Sequence, residues 1–117
     1  MLNNLYIVLK DQIVFGDLII QDGKIVNIHV KPEPNNAVKR YVVPGFIDLH
    51  IHGASNVDAM DASTYAIEQL ALALVKEGTT AFLATTMTQT PLNIENASTS
   101  IGHYYQHQNP KDRKSVV

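Results

Sequence analysis

A change of pattern near residue 40 constrains this fold more than any other feature. Downstream of it, a nearly continuous apolar run, "YVVPGFIDLHIHG", gives way to "MDASTYAIEQLALALVKEG". In the second stretch Ile67, Leu70, Ala71, Leu74 and Val75 fall at i, i+3, i+4, i+7 and i+8, the single apolar stripe of an amphipathic helix. A second short apolar strand, "TTAFLATTMT", follows. Next comes a second helical stretch, "TPLNIENASTSIGHYYQHQ", with Ile94, Ala97, Ile101 and Tyr104 at helical spacing. "NPKDRK" reads as a turn and "SVV" as a third strand. Strand, helix and parallel strand form the right-handed crossover unit of α/β folds. Apolar runs of this kind are expected where both faces of a parallel strand are buried.

Upstream, the pattern is β throughout. "LYIVLK" and "QIVFGDLIIQ" are rich in β-branched and aromatic residues. "QDGKIVNIHV" is a hairpin signal, because Asp22-Gly23 suits the positive φ values of a tight turn. "KPEPNNAVKR" breaks the pattern as a loop. The expected division is therefore residues 1–43, a β region, and residues 44–117, an α/β region. Helix ends are also legible. Asp61 or Ser63 can cap the first helix, Gly78 suits a left-handed residue after it, and Thr90 with Pro91 marks the start of the second.

With 45% hydrophobic and 17% charged residues the chain is globular, and its net charge of −2 leaves no footprint for nucleic acid or an anionic membrane. It has no cysteine, which excludes disulfides and thiolate metal sites and fits a reducing cytoplasm. No stretch reads as a signal peptide or approaches the roughly 18 apolar residues of a membrane span. A cytoplasmic protein is expected.

His50 and His52 stand at the end of the first apolar run, just before Gly53. Residues i and i+2 of a strand share a face, so the two imidazoles project together, with Asp48 beside them. They can take a divalent metal, or they can be ordinary hydrogen-bonded histidines. If buried, they need partners. The C-terminal ends of strands are where barrel enzymes carry out their chemistry. Thr85 and Thr86 end the second strand on the same rim, where a hydroxyl can touch substrate or simply bond to backbone. His103 and His107, at i, i+4 on the second helix, lack the glutamate of an H-E-x-x-H motif and read as a solvated helix end. His29 reads as surface.

"VVPGFIDLHIHG" resembles the opening motif of the amidohydrolase superfamily, P-G-x-I-D-x-H-x-H on the first strand of a metal-dependent barrel. "DAMDAS…KEGTTAFLATTMTQT" is similar, within that superfamily, to the N-acetylglucosamine-6-phosphate deacetylase family. The resemblance implies part of a β-sandwich domain followed by the first two β/α units of a TIM-type (β/α)8 barrel. It makes His50 and His52 metal ligands, with Zn or Fe the expected ion, and gives Asp48 a structural or supporting role. It implies hydrolysis of an amino-sugar phosphate, in which metal activates water and a carboxylate handles the proton. That carboxylate, the remaining ligands and the phosphate-binding groups have no counterpart in these 117 residues. The chain is therefore expected to be an N-terminal portion, inactive alone, from a parent that forms a homo-oligomer. Two rivals stand beside this reading. One is a dihydroorotase-like or other cyclic amidase, which shares the first motif; the other is a stand-alone interaction domain.

Overall fold

The computed structural model describes residues 1–108 and 115–116. The expected turn at residues 109–114 and the last residue of the expected third strand, Val117, lie outside the described residues. The chain divides into two compact units, Met1–Pro44 and Gly45–Val117.

The first unit is a four-stranded sheet in the order β3-β2-β1-β4. Its strands are β1 (Leu2–Val8), β2 (Ile13–Gln21), β3 (Lys24–Val30) and β4 (Tyr41–Val42). The hairpin forms as its sequence demands. Gln21 pairs with Lys24, and Asp22 (φ 50) and Gly23 (φ 76) take the left-handed conformations of a two-residue turn. Leu5, Ile7 and Leu18 form its core. Asp17 is buried as well, ion-paired with Lys31 and accepting the Asn4 N–H at 3.0 Å. The hydroxyl of Tyr6 donates to Glu33, and that bond pushes the phenol up to about 12.

The second unit is built on a parallel three-stranded sheet in the order β5-β8-β9, with β5 at Phe46–Ile51, β8 at Thr79–Ala84 and β9 at Ser115–Val116. Two helices connect the strands, α1 (Thr64–Lys76) and α2 (Pro91–His107). Ser63 caps α1 by accepting the Ala66 N–H, and Thr90 caps α2 through the Asn93 N–H. Asp61 belongs instead to a 3-10 turn over Ala59–Asp61, where it forms a reciprocal capping box with Asp58. Gly78 takes the left-handed conformation, with φ 85. The α1 stripe is buried at Ile67, Leu70, Ala71 and Leu74 and packs with Phe82 and Tyr104; Val75 turns outward and is exposed. Burying each of the larger aliphatic side chains contributes about 1.5–3 kcal/mol. No described helix is long and apolar enough to cross a membrane.

Two expectations are corrected here. The run "YVVPGFIDLHIHG" is not one strand. Tyr41–Val42 joins the first sheet beside β1, residues 43–45 are irregular, and only Phe46–Ile51 enters the second sheet. Pro44 has no N–H to donate to a ladder and holds the residue before it in extended backbone, so the strand breaks there. Nor is β5 buried on both faces. It is the edge of its sheet, and Phe46 (67%) and Leu49 (70%) are exposed. The helical layer reaches only as far as Ile51, which packs on the α1 cluster.

Candidate metal centre

The ends of β5 and β8 fix the position of the histidine pair. The two strands run parallel with Ile51 beside Ala84, so the residues that follow, His52 and Thr85, emerge at the same end. The Thr85 N–H donates to the Ile51 carbonyl at 2.8 Å, extending the ladder one step past the strand. Beyond His52 the chain doubles back through a small hairpin, β6 (Gly53–Ala54) and β7 (Val57–Asp58), turning on Ser55 and Asn56, both with positive φ. That hairpin returns the chain so that the Ala59 N–H donates to the His52 carbonyl at 2.7 Å. Gly53 permits the close approach, since a Cβ there would lie 2.2 Å from the Val57 carbonyl oxygen. His52 is thus held through its own carbonyl and, one residue earlier, through that of Ile51.

Its side chain is held as well. Nδ1 of His52 lies 2.9 Å from the Thr85 carbonyl oxygen. A carbonyl can only accept, so Nδ1 carries a proton, and in the neutral ring Nε2 then keeps its lone pair. That nitrogen faces Nε2 of His50 at 3.1 Å, with the two rings nearly perpendicular at 86°. Two nitrogens sharing one tetrahedral zinc at about 2.0–2.1 Å are separated by about 3.3 Å. The observed spacing lies close to that, so the pair fits a shared cation. Asp48 acts locally. Its carboxylate accepts the His50 N–H at 3.0 Å, which fastens the backbone of one imidazole-bearing residue. His50 is exposed, while His52 and Asp48 are half-buried.

Of the two rim threonines, Thr85 contributes through its backbone. Its hydroxyl donates to the Leu83 carbonyl at 3.1 Å, and its carbonyl orients His52. Thr86 is half-buried next to it. Sequence reasoning missed the Thr85 carbonyl, and no signal could have revealed it, because every residue has one. Among the described residues no group of three or more His, Cys, Asp or Glu side chains is placed to hold an ion. The structure brings together His50, His52 and the Thr85 carbonyl, with the Asp48 carboxylate bonded to the His50 backbone. His29 is exposed. His103 and His107 are exposed near the end of α2 and line a cavity of their own.

Residues 41–108, which include both histidines, match the amidohydrolase family. The chain belongs to that family. A member from Lysinibacillus sphaericus, an N-acetylglucosamine-6-phosphate deacetylase, is 37% identical over 86% of this chain and 27% of its own length. A deacetylase of the same name from Bacillus subtilis is 35% identical over 83% of this chain and 26% of its own length. The solved structure of N-acetylglucosamine-6-phosphate deacetylase from Pasteurella multocida superposes with a TM-score of 0.75 at 25% identity, covering 91% of this chain and 30% of the other. This amidohydrolase chain therefore spans about a quarter of the length of the curated relatives it matches.

Proposed function

We propose that this chain supplies the metal-binding opening of a hydrolase that removes the acetyl group from N-acetylglucosamine 6-phosphate, giving glucosamine 6-phosphate and acetate. The observation that carries the reading is the convergence of His50 Nε2 and His52 Nε2, with the His52 tautomer set by the Thr85 carbonyl. The identity to deacetylases on both sides of those residues supports it. His50 and His52 would hold a divalent ion, for which imidazole nitrogens suit zinc or iron. When bound, such an ion acts as a Lewis acid toward a carbonyl oxygen and lowers the pKa of water. The Thr85 carbonyl keeps His52 aimed, and Asp48 keeps the backbone at His50 in place.

On this reading β5, α1, β8 and α2 are the first two β/α units of a (β/α)8 barrel, and the four-stranded sheet is part of a β-sandwich, with residues 1–43 and 44–117 as the two parts. The site then lies where barrel enzymes work, at the C-terminal ends of the strands. The protein would act in the cytoplasm on a small amino-sugar phosphate, as a homo-oligomer. Hydrolysis also needs further ligands and a proton-transferring carboxylate, so the 117 residues alone are expected to be inactive.

The test is acetate release from N-acetylglucosamine 6-phosphate. It is measured with the 117-residue chain alone and with the same chain joined to the remaining C-terminal part of the Bacillus subtilis relative. The isolated chain should be silent. The fusion should turn over in a metal-dependent way and lose that activity with His50→Ala and His52→Ala together. Turnover by the isolated chain, or a fusion indifferent to the double replacement, would contradict the proposal.

A further inference from the structure

Residues 53–62, directly after His52, hold three of the five non-glycine residues with positive φ among the described residues: Ser55 (φ 53), Asn56 (φ 62) and Ala62 (φ 51). L-residues enter that region at a steric cost, and such conformations persist where the surroundings enforce them. Here two carboxylates take part in the enforcement. Asp61 accepts the Asp58 N–H at 2.9 Å, and Asp58 accepts the Met60 N–H at 2.7 Å. The N–H groups before and after that of Ala59 are therefore both tied, and Ala59 itself is fully buried in the α1 cluster. The N–H between them, that of Ala59, meets the His52 carbonyl at 2.7 Å.

We propose, resting on the reading of His50 and His52 as ligands, that Asp58 and Asp61 are positioning residues for the metal centre. Their reciprocal bonds aim the Ala59 N–H at the His52 carbonyl, which belongs to the peptide group on the C-terminal side of His52. On the N-terminal side, the Thr85 N–H holds the Ile51 carbonyl. With both peptide groups fixed, φ and ψ of His52 are set, and these decide which side-chain rotamers it can adopt. The rotamer observed is the one that reaches the Thr85 carbonyl. Neither carboxylate has to touch the ion. Asp61 is exposed and bonds to the Asp58 backbone, and Asp58 bonds to that of Met60. A role through hydrogen-bond acceptance needs only an oxygen at that place, which an amide also offers, whereas a role through charge needs the carboxylate.

The experiment compares the full 117-residue chain with Asp61→Ala, Asp61→Asn and Thr90→Ala. The last removes the α2 cap, a structural loss with no bond to the chain around His52. Long-range ¹H–¹⁵N spectra follow His52 without metal and during a Zn²⁺ titration. In the metal-free parent and in Asp61→Asn, His52 should show one form with Nδ1 protonated, and in Asp61→Ala a mixture. Asp61→Ala should weaken Zn²⁺ binding at His52 about three- to tenfold, at or below the lower end of what losing a direct partner of a ligand costs. Asp61→Asn and Thr90→Ala should bind like the parent, with circular dichroism unchanged throughout. Asp61→Ser, polar but one atom too short for the bond, replaces the alanine variant if that one unfolds. An alanine variant that keeps one His52 form and the parent's affinity would overturn the proposal. So would an asparagine variant as weak as the alanine one, or equal weakening by Thr90→Ala. A parent that binds no Zn²⁺ would refute the ligand reading instead, and the metal-free spectra would still decide whether Asp61 positions His52.

Discussion

Nδ1 of His52 lies 2.9 Å from the carbonyl oxygen of Thr85, thirty-three residues further along the chain. This one bond decides which nitrogen of His52 can meet a metal. Long-range ¹H–¹⁵N correlation spectra should show Nδ1 protonated with Nε2 bare, and on adding Zn²⁺ the Nε2 signal should shift while Nδ1 stays protonated. His50→Ala and His52→Ala should each weaken binding at this site at least about tenfold, the floor set by losing even an outer partner of a ligand. A protonated Nε2 on His52 would refute the assignment.

Gly53 tests whether the hairpin after His52 is part of the site. Gly53→Ala adds a Cβ that would lie 2.2 Å from the Val57 carbonyl oxygen, so β6 and β7 must separate. The expected cost is about 1–3 kcal/mol of stability. Zn²⁺ affinity at His50 and His52 should fall too, although no ligand is altered. Urea titration gives the first quantity and calorimetry the second, and undiminished affinity would mean the hairpin does not position His52.

Leu70 is fully buried in the α1 cluster. Leu70→Ala should cost about 2–5 kcal/mol, from lost burial and the cavity left behind. The equivalent change at Leu72, which is exposed on the same helix, should cost under about 0.5 kcal/mol. The two urea midpoints measured side by side would reveal a helix packed on the wrong face.

Asp17 carries the acid sensitivity of the first unit. The hydrogen-bonded ion pair with Lys31, and then the Asn4 N–H, hold its carboxyl below the ordinary value of 3.8. A depressed folded-state pKa means stabilisation that is complete above the unfolded value and lost as pH falls through the folded one. Stability should therefore decline below about pH 4, where Asp17 begins to take up a proton in the unfolded chain. Asp17→Asn should be less stable than the parent at pH 7, and its stability should fall less steeply between about pH 4 and pH 2. Parallel acid dependence in the two proteins would remove Asp17 from this role.

Much of the fold was legible because it is local. Asp22-Gly23 specifies its turn through the φ values those two residues tolerate, and Ser63 and Thr90 cap the helices they precede. The two-residue spacing of His50 and His52 was enough to bring their imidazoles together, with no reference to the rest of the chain. The state of β5 was not legible in the same way. An apolar strand reads as buried, but burial depends on what packs over it, and the described helical layer stops at Ile51. The break at Pro44 was present in the sequence and outweighed by the apolar run around it.

By itself, then, the sequence determined the order and type of the elements and the pairing of two imidazoles two residues apart, because these depend on backbone preferences and side-chain period. Only the tertiary structure decided that β5 and β8 end in step, so that the carbonyl of Thr85 meets His52 and turns its Nε2 toward His50 at 3.1 Å. Strand register is set by ladder hydrogen bonds between distant segments, and a backbone carbonyl is the same atom in every residue, so no residue type announces where one will be used.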